Sequence, residues 1–130
     1  MTDVALNAAS LFVSLTCKDL ERSIKFYREG LGCEIVDRGE QEGRLTFVMM
    51  KAGNAMIGLG QDDFAKGRDR TKAVGLRIWI TTAQDLVALA ARATASGITL
   101  DDGPAPLPWG PMAFALTDPD GFKFTVTTPR

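Results

Sequence analysis

The sequence predicts an α+β chain of two successive βαβββ units, and three observations predict it. Each half opens on a period-two apolar alternation, at Leu11–Thr16 and again at Val74–Ile80. An apolar stripe of helical spacing follows each. Turn residues then divide the rest of each half into short strand-like runs. With 130 residues, 45% hydrophobic and 24% charged, the chain has the size and composition of one ordinary soluble domain.

In the first strand Leu11, Val13 and Leu15 are apolar while Ser14 and Thr16 are polar, and Phe12 breaks the polar side. Asp19 is placed to cap a helix whose stripe is Leu20, Ile24, Tyr27 and Leu31, with Gly30 and Gly32 at its end. From Cys33 to Gln61 three runs, separated by a turn at Gly39–Gly43 and by Gly53-Asn54, read as an antiparallel meander. Asp62–Lys72 is charged and has neither period, so it is either a solvated connector or a lid. In the second half Val74, Leu76, Ile78 and Ile80 alternate with Gly75, Arg77 and Trp79. Thr82 with Asp85 suggests a capping box for a helix through Ser96, closed by Gly97. Ile98–Leu100 is a weak strand and Asp101–Pro111 a proline-rich loop; Met112–Thr117 and Phe122–Thr127 flank the turn Asp118-Pro119-Asp120-Gly121. The expected organisation is a single domain over 1–130, with module one at about 10–61, a connector at 62–72 and module two at 73–128.

Composition excludes several functions. Fifteen Lys plus Arg against sixteen Asp plus Glu leave a formal charge of -1, too little to draw the chain to nucleic acid or an anionic membrane. Histidine is absent, which removes the commonest general base and metal ligand. Cys17 and Cys33 are too few for a zinc site or a disulfide framework, and both read as small buried apolar residues. No run approaches the roughly 20 apolar residues needed to span a bilayer, and no signal peptide is legible, so a cytoplasmic location is expected.

Two segments carry a resemblance. FVSLTCKDLERSIKFYREGLG, Phe12 to Gly32, and PWGPMAFALTDPDGFKFTV, Pro108 to Val126, resemble the opening strand and helix and the closing hairpin of the vicinal-oxygen-chelate superfamily, which includes glyoxalase I, extradiol dioxygenases and bleomycin resistance proteins. The resemblance implies a glyoxalase-like fold: two βαβββ modules forming curved mixed sheets around a cup, helices outside, usually in a homodimer. Enzymes of that family hold a divalent metal with four side chains in the cup. Aligned here, those positions fall at Phe12, Gly58, Gly75 and Thr125, none of which supplies a strong ligand. The expectation is therefore no metal, no cofactor and no catalytic residue, in a branch that resembles bleomycin resistance proteins.

The alternation also assigns sheet faces. Regular apolar sets such as Leu11, Val13 and Leu15, or Phe122, Phe124 and Val126, belong on the helix side. The other face then receives Phe12, Ser14, Thr16, Met56, Gly58, Gly60, Gly75, Arg77, Trp79, Lys123, Thr125 and Thr127. Aromatic and thioether side chains beside glycines fit a pocket lining. They equally fit side chains filling space left by lost ligands, or a dimer interface. Trp109 either closes one end of the cup or packs against a neighbouring strand. Arg77 either pairs with an acidic group of a ligand or with a nearby carboxylate.

The expected function is metal-free binding of a small aromatic or planar molecule, as in antibiotic or metabolite sequestration, with Phe12, Met56, Arg77, Trp79, Trp109 and Thr125 as ligand-binding residues. The near-neutral charge, with Arg77 and Lys123 in the cup, favours a neutral or anionic ligand over a cationic one. A lyase or isomerase with a non-standard site is a second reading; it lacks a base of near-neutral pKa. A structural or regulatory dimer without ligand is a third.

Overall fold

The computed structural model describes residues 4–130, so residues 1–3 of the expected domain lie outside the described residues. The first four strands, β1 (Phe12–Cys17), β2 (Glu34–Gln41), β3 (Arg44–Ala52) and β4 (Ala55–Gln61), form one sheet in the order β1-β4-β3-β2. The second four, β5 (Arg77–Thr81), β6 (Asp102–Pro106), β7 (Met112–Thr117) and β8 (Lys123–Thr127), repeat it as β5-β8-β7-β6. In both sheets the opening strand lies parallel to the closing strand and the remaining pairs are antiparallel. Helix α1 (Leu20–Lys25) and helix α2 (Leu86–Ala95) follow β1 and β5. The architecture is the expected α+β pair of βαβββ modules.

Asp19 caps α1 by accepting a hydrogen bond from Arg22 N, as its position predicts. After Lys25 the helix widens into one π turn, Phe26–Gly30, which no sequence period announces. The Arg92 side chain of α2 donates to the carbonyls of Arg28 and Glu29 and satisfies the end of that turn. Gly30 is buried there, and a Cβ on it would overlap the Ile98 side chain.

Three local expectations are corrected. The β2–β3 turn is Glu42-Gly43, both at positive φ, and Gly39 stays in β2. Asp85 itself caps α2, accepting from Val87 N and Ala88 N, while Thr82 only closes a short turn onto Gln84 N. The weak strand expected at Ile98–Leu100 forms at Asp102–Pro106, inside the proline-rich stretch. Prolines lack the N–H a central strand needs, but β6 is an edge strand with a register shift between Asp102 and Ala105, where that loss is tolerated.

One hydrophobic core serves both modules. Leu15, Leu59 and Met50 from the first sheet, Leu20, Ile24 and Tyr27 from α1 and its π turn, Leu86 and Ala90 from α2, and Phe114, Leu116 and Phe124 from the second sheet belong to one buried cluster. Tyr27 meets the Phe124 ring edge-on, with centroids 5.7 Å apart. The helix-facing sides of both sheets thus meet, and the faces carrying Phe12 and Trp79 lie on opposite outer sides of the subunit. Among the described residues no helix is long and apolar enough to cross a membrane.

Candidate functional site

The turn between β7 and β8 joins the two modules by polar contacts. Tyr27 Oη donates to Asp118 Oδ2 at 2.6 Å, and Ser23 Oγ and Lys18 N donate to the Asp120 carboxylate at 3.2 and 2.8 Å. Lys72 Nζ, from the connector, completes the group at 2.6 Å from Asp120 Oδ1, with both side chains buried. The turn itself is fixed by Asp118, whose Oδ1 accepts from Asp120 N and Phe122 N and whose N–H donates to Phe122 O. Burial holds the Asp118 carboxyl above its ordinary range against the pull of those donors. Burial, then the neighbouring Asp118, raises the Tyr27 phenol so that it stays neutral. Asp118 and Asp120 are therefore structural, as the turn reading holds. The connector is exposed along Ala65–Asp69, as a solvated loop is, but its ends, Asp62 and Lys72, are pinned down, with Arg70 paired to Asp62 and Lys18 to Asp69.

Sheet register places the four positions that the resemblance marks. Ser14 pairs with Gly58, and Phe12 stands two residues before it. Trp79 pairs with Thr125, and Arg77 stands two residues before it. Arg77, not Gly75, is thus the second-module counterpart of Phe12. Gly75 precedes β5 in a turn at φ 74, a backbone shape that favours glycine, and this corrects both the alignment and its place on the sheet face. Arg77 Nη1 donates to Thr125 Oγ1 at 3.1 Å, so the two positions are joined by a hydrogen bond. A phenyl ring, a glycine, a guanidinium and a hydroxyl do not fit a divalent metal, and the guanidinium would repel one. Among the described residues no group of three or more Cys, Asp or Glu side chains is gathered in a way that would hold an ion.

The expected site residues divide between two faces. On the second sheet Trp79 and Trp109 have ring centroids 6.4 Å apart and planes at 40°, and they are 50% and 52% exposed. Beside them runs a groove of about 290 Å³ lined by Arg77, Trp79, Thr125, Ala113, Ala115 and the β6 edge, including Asp101 and Asp102. Arg77, Trp79, Trp109 and Thr125 are therefore brought together. Phe12 and Met56 are cross-strand partners on the first sheet, on the other side of the subunit, and Phe12 is 52% exposed. The space expected over Gly58 is occupied: a Cβ there would meet Phe47 Cε1 and Cζ at 3.1 Å, so Phe47 covers the glycine. The register signals this contact, because Phe47 pairs with Gly60 and Met49 with Gly58, putting an aromatic diagonally over a residue with no side chain. Nothing lies within 4 Å of a Cβ on Gly60, which stays open.

Cys17 and Cys33 are both buried and free, and burial pushes both thiols up to about 11. That leaves them protonated near neutral pH and unsuited to nucleophilic attack.

Solved structures share this fold. TioX from Micromonospora sp. ML1 matches at a TM-score of 0.73 and 16% identity, covering 92% of this chain and 98% of that one. TnmS3, an antibiotic binding protein from Streptomyces sp. CB03234, matches at 0.70 and 22%, covering 98% and 100%. A glyoxalase/bleomycin resistance protein/dioxygenase superfamily member from Sphaerobacter thermophilus DSM 20745 matches at 0.69 and 25%, covering 92% and 98%. No curated protein matches the chain. The family model of the Glyoxalase/Bleomycin resistance protein/Dioxygenase superfamily matches residues 9–126, nearly all of the two modules described above, and the chain belongs to that superfamily.

Proposed function

We propose that this protein is a metal-free, cytoplasmic binding protein that sequesters a planar or aromatic small molecule, such as an antibiotic or metabolite, and works as a homodimer without nucleic acid or membrane partners. The observation that carries the reading is the pair of half-exposed tryptophans, Trp79 and Trp109, beside an open groove on the outer face of the second sheet. Two large aromatic rings left in water on one face are costly unless a ligand or partner covers them. The antibiotic binding protein TnmS3 shares the fold and supports the same reading. The loss of imidazole and carboxylate donors at all four marked positions argues for binding over catalysis.

The proposed dimer follows from the faces. Phe12 and Met56 look out from one side of the subunit and Trp79 from the other, so a cup walled by both modules needs the first sheet of one copy and the second sheet of another. In that arrangement all six proposed residues, Phe12, Met56, Arg77, Trp79, Trp109 and Thr125, line one hollow.

Tryptophan fluorescence titration against a panel of planar aromatic compounds tests the function, and analytical ultracentrifugation tests the dimer. Saturable quenching in the metal-stripped protein at micromolar ligand is expected, together with a sedimentation coefficient of a two-chain species. A stoichiometric, tightly held transition metal, or turnover of a thiol-aldehyde adduct that depends on added metal, would overturn the binding reading.

A further inference from the structure

We infer that the ligand carries an anionic group, and that Arg77 and Lys123 receive it at one end of the Trp79 groove. The inference rests on the small-molecule reading above and adds the ligand's charge. Arg77 and Lys123 are direct cross-strand partners on β5 and β8, so their like charges project from the same face at adjacent positions. Like charges directly opposite one another repel, and an anion between them would relieve the repulsion. Among the described residues neither makes an ion pair within 4.0 Å. Both line a recess of about 700 Å³ bounded by the connector, and Arg77 also lines the tryptophan groove, so one side chain borders both spaces.

The geometry suits a planar acid. The hydrogen bond to Thr125 draws the guanidinium from its own row toward the row of Trp79, because Thr125 is the cross-strand partner of Trp79. A ring stacked on the Trp79 indole would then place a carboxylate within reach of the guanidinium's free N–H groups, whose fork matches two carboxylate oxygens.

Each nearby carboxylate has a hydrogen-bond or ion-pair partner of its own. Asp120 is paired with Lys72, and Asp69 with Lys18. Asp101 accepts from Thr117 Oγ1, and Asp102 from Gly103 N. The Asp101 carboxylate is thus held beside β7 at Thr117, the cross-strand partner of Lys123, and neither it nor Asp102 forms an ion pair within 4.0 Å with Arg77 or Lys123.

The test compares 2-naphthoate with its neutral isostere 2-naphthamide by calorimetric titration of the intact protein. The acid is expected to bind about tenfold more tightly, as one charge-assisted contact allows. That preference should shrink as NaCl rises from 50 to 500 mM. Arg77→Gln should reduce the acid-to-amide ratio to about one, and Lys123→Gln should reduce it in part; melting curves on both variants establish that they are folded. Equal affinity for acid and amide in the unmodified protein, or a ratio unmoved by Arg77→Gln, would overturn the anionic assignment and leave the aromatic groove standing. If neither compound binds and the broader panel gives no quenching, the binding reading fails and this inference falls with it.

Discussion

Removing the Asp120 carboxylate is the most demanding test of how the two modules are held together. Asp120 accepts from Lys18 N and Ser23 Oγ of the first module and from Lys72 Nζ of the connector, and its side chain and that of Lys72 are 1% and 7% exposed. Asp120→Ala leaves a buried ammonium with no counter-charge and strands two further donors. Breaking one side of such a pair costs about 3 to 5 kcal/mol. A chain of this length loses about 4 °C of melting temperature per kcal/mol, so a fall of about 10 to 20 °C is expected. Lys72→Met alone should cost less, because Asp120 keeps its Lys18 N–H and Ser23 donors. The double variant should recover part of the loss, since it removes both charges together. Urea and thermal denaturation followed by circular dichroism measure all three. A melting temperature for Asp120→Ala within about 3 °C of the parent, or strictly additive effects in the double variant, would refute the assignment of a buried, coupled pair.

Three further outcomes follow from burial and exposure. Trp79→Ala should weaken the tightest panel ligand by about ten- to a hundredfold, the value of roughly 1.5 to 3 kcal/mol of ring burial, while the melting temperature barely moves, because the ring is half exposed in the free subunit; equal losses of binding and stability would show that the ring is a fold residue. Leu59→Ala, at a fully buried position between the sheets, should cost about 2 to 5 kcal/mol in urea unfolding, and Ile78→Ala less, since Ile78 is only partly buried. Both cysteines should resist iodoacetamide at pH 8 in the native protein and react promptly in guanidinium chloride. Their folded pKa of about 11 lies above the unfolded value of about 8.5, so the thiols' contribution to stability is complete below about pH 8.5 and is lost as the pH climbs toward 11.

Most of the fold was legible because its signals are local. Period-two alternation marked β1, β4, β5 and β8, and the assignment of Leu15, Ile57, Leu59, Phe124 and Val126 to the helix side matches their burial. Leu11 and Leu76 broke that pattern, since both fall outside the strands and are exposed. The misplaced β6 has a physical cause: proline reads as loop chemistry, and only a neighbour such as β7 can recruit it as an edge strand. The site was legible as a face but not as a place. Alternation put Arg77 and Trp79 on the same side as Thr125, yet the two-residue correction from Gly75 to Arg77 needed the β5–β8 register, which no single strand encodes. Phe47 over Gly58 and Lys72 against Asp120 are contacts between segments far apart in sequence, and their residue types alone give no partner.

The shared core has a consequence for how this chain can be cut. Tyr27 and Ile24, from the first module, are buried in the same cluster as Phe124 and Leu116 from the second. Cleaving the backbone near Gly67, between the pinned ends of the connector, would therefore release two fragments that each bare a wide apolar surface and lack half of their interior. Neither half should persist alone, whereas the two produced together should find each other and reassemble, which makes this small chain a natural candidate for a split reporter.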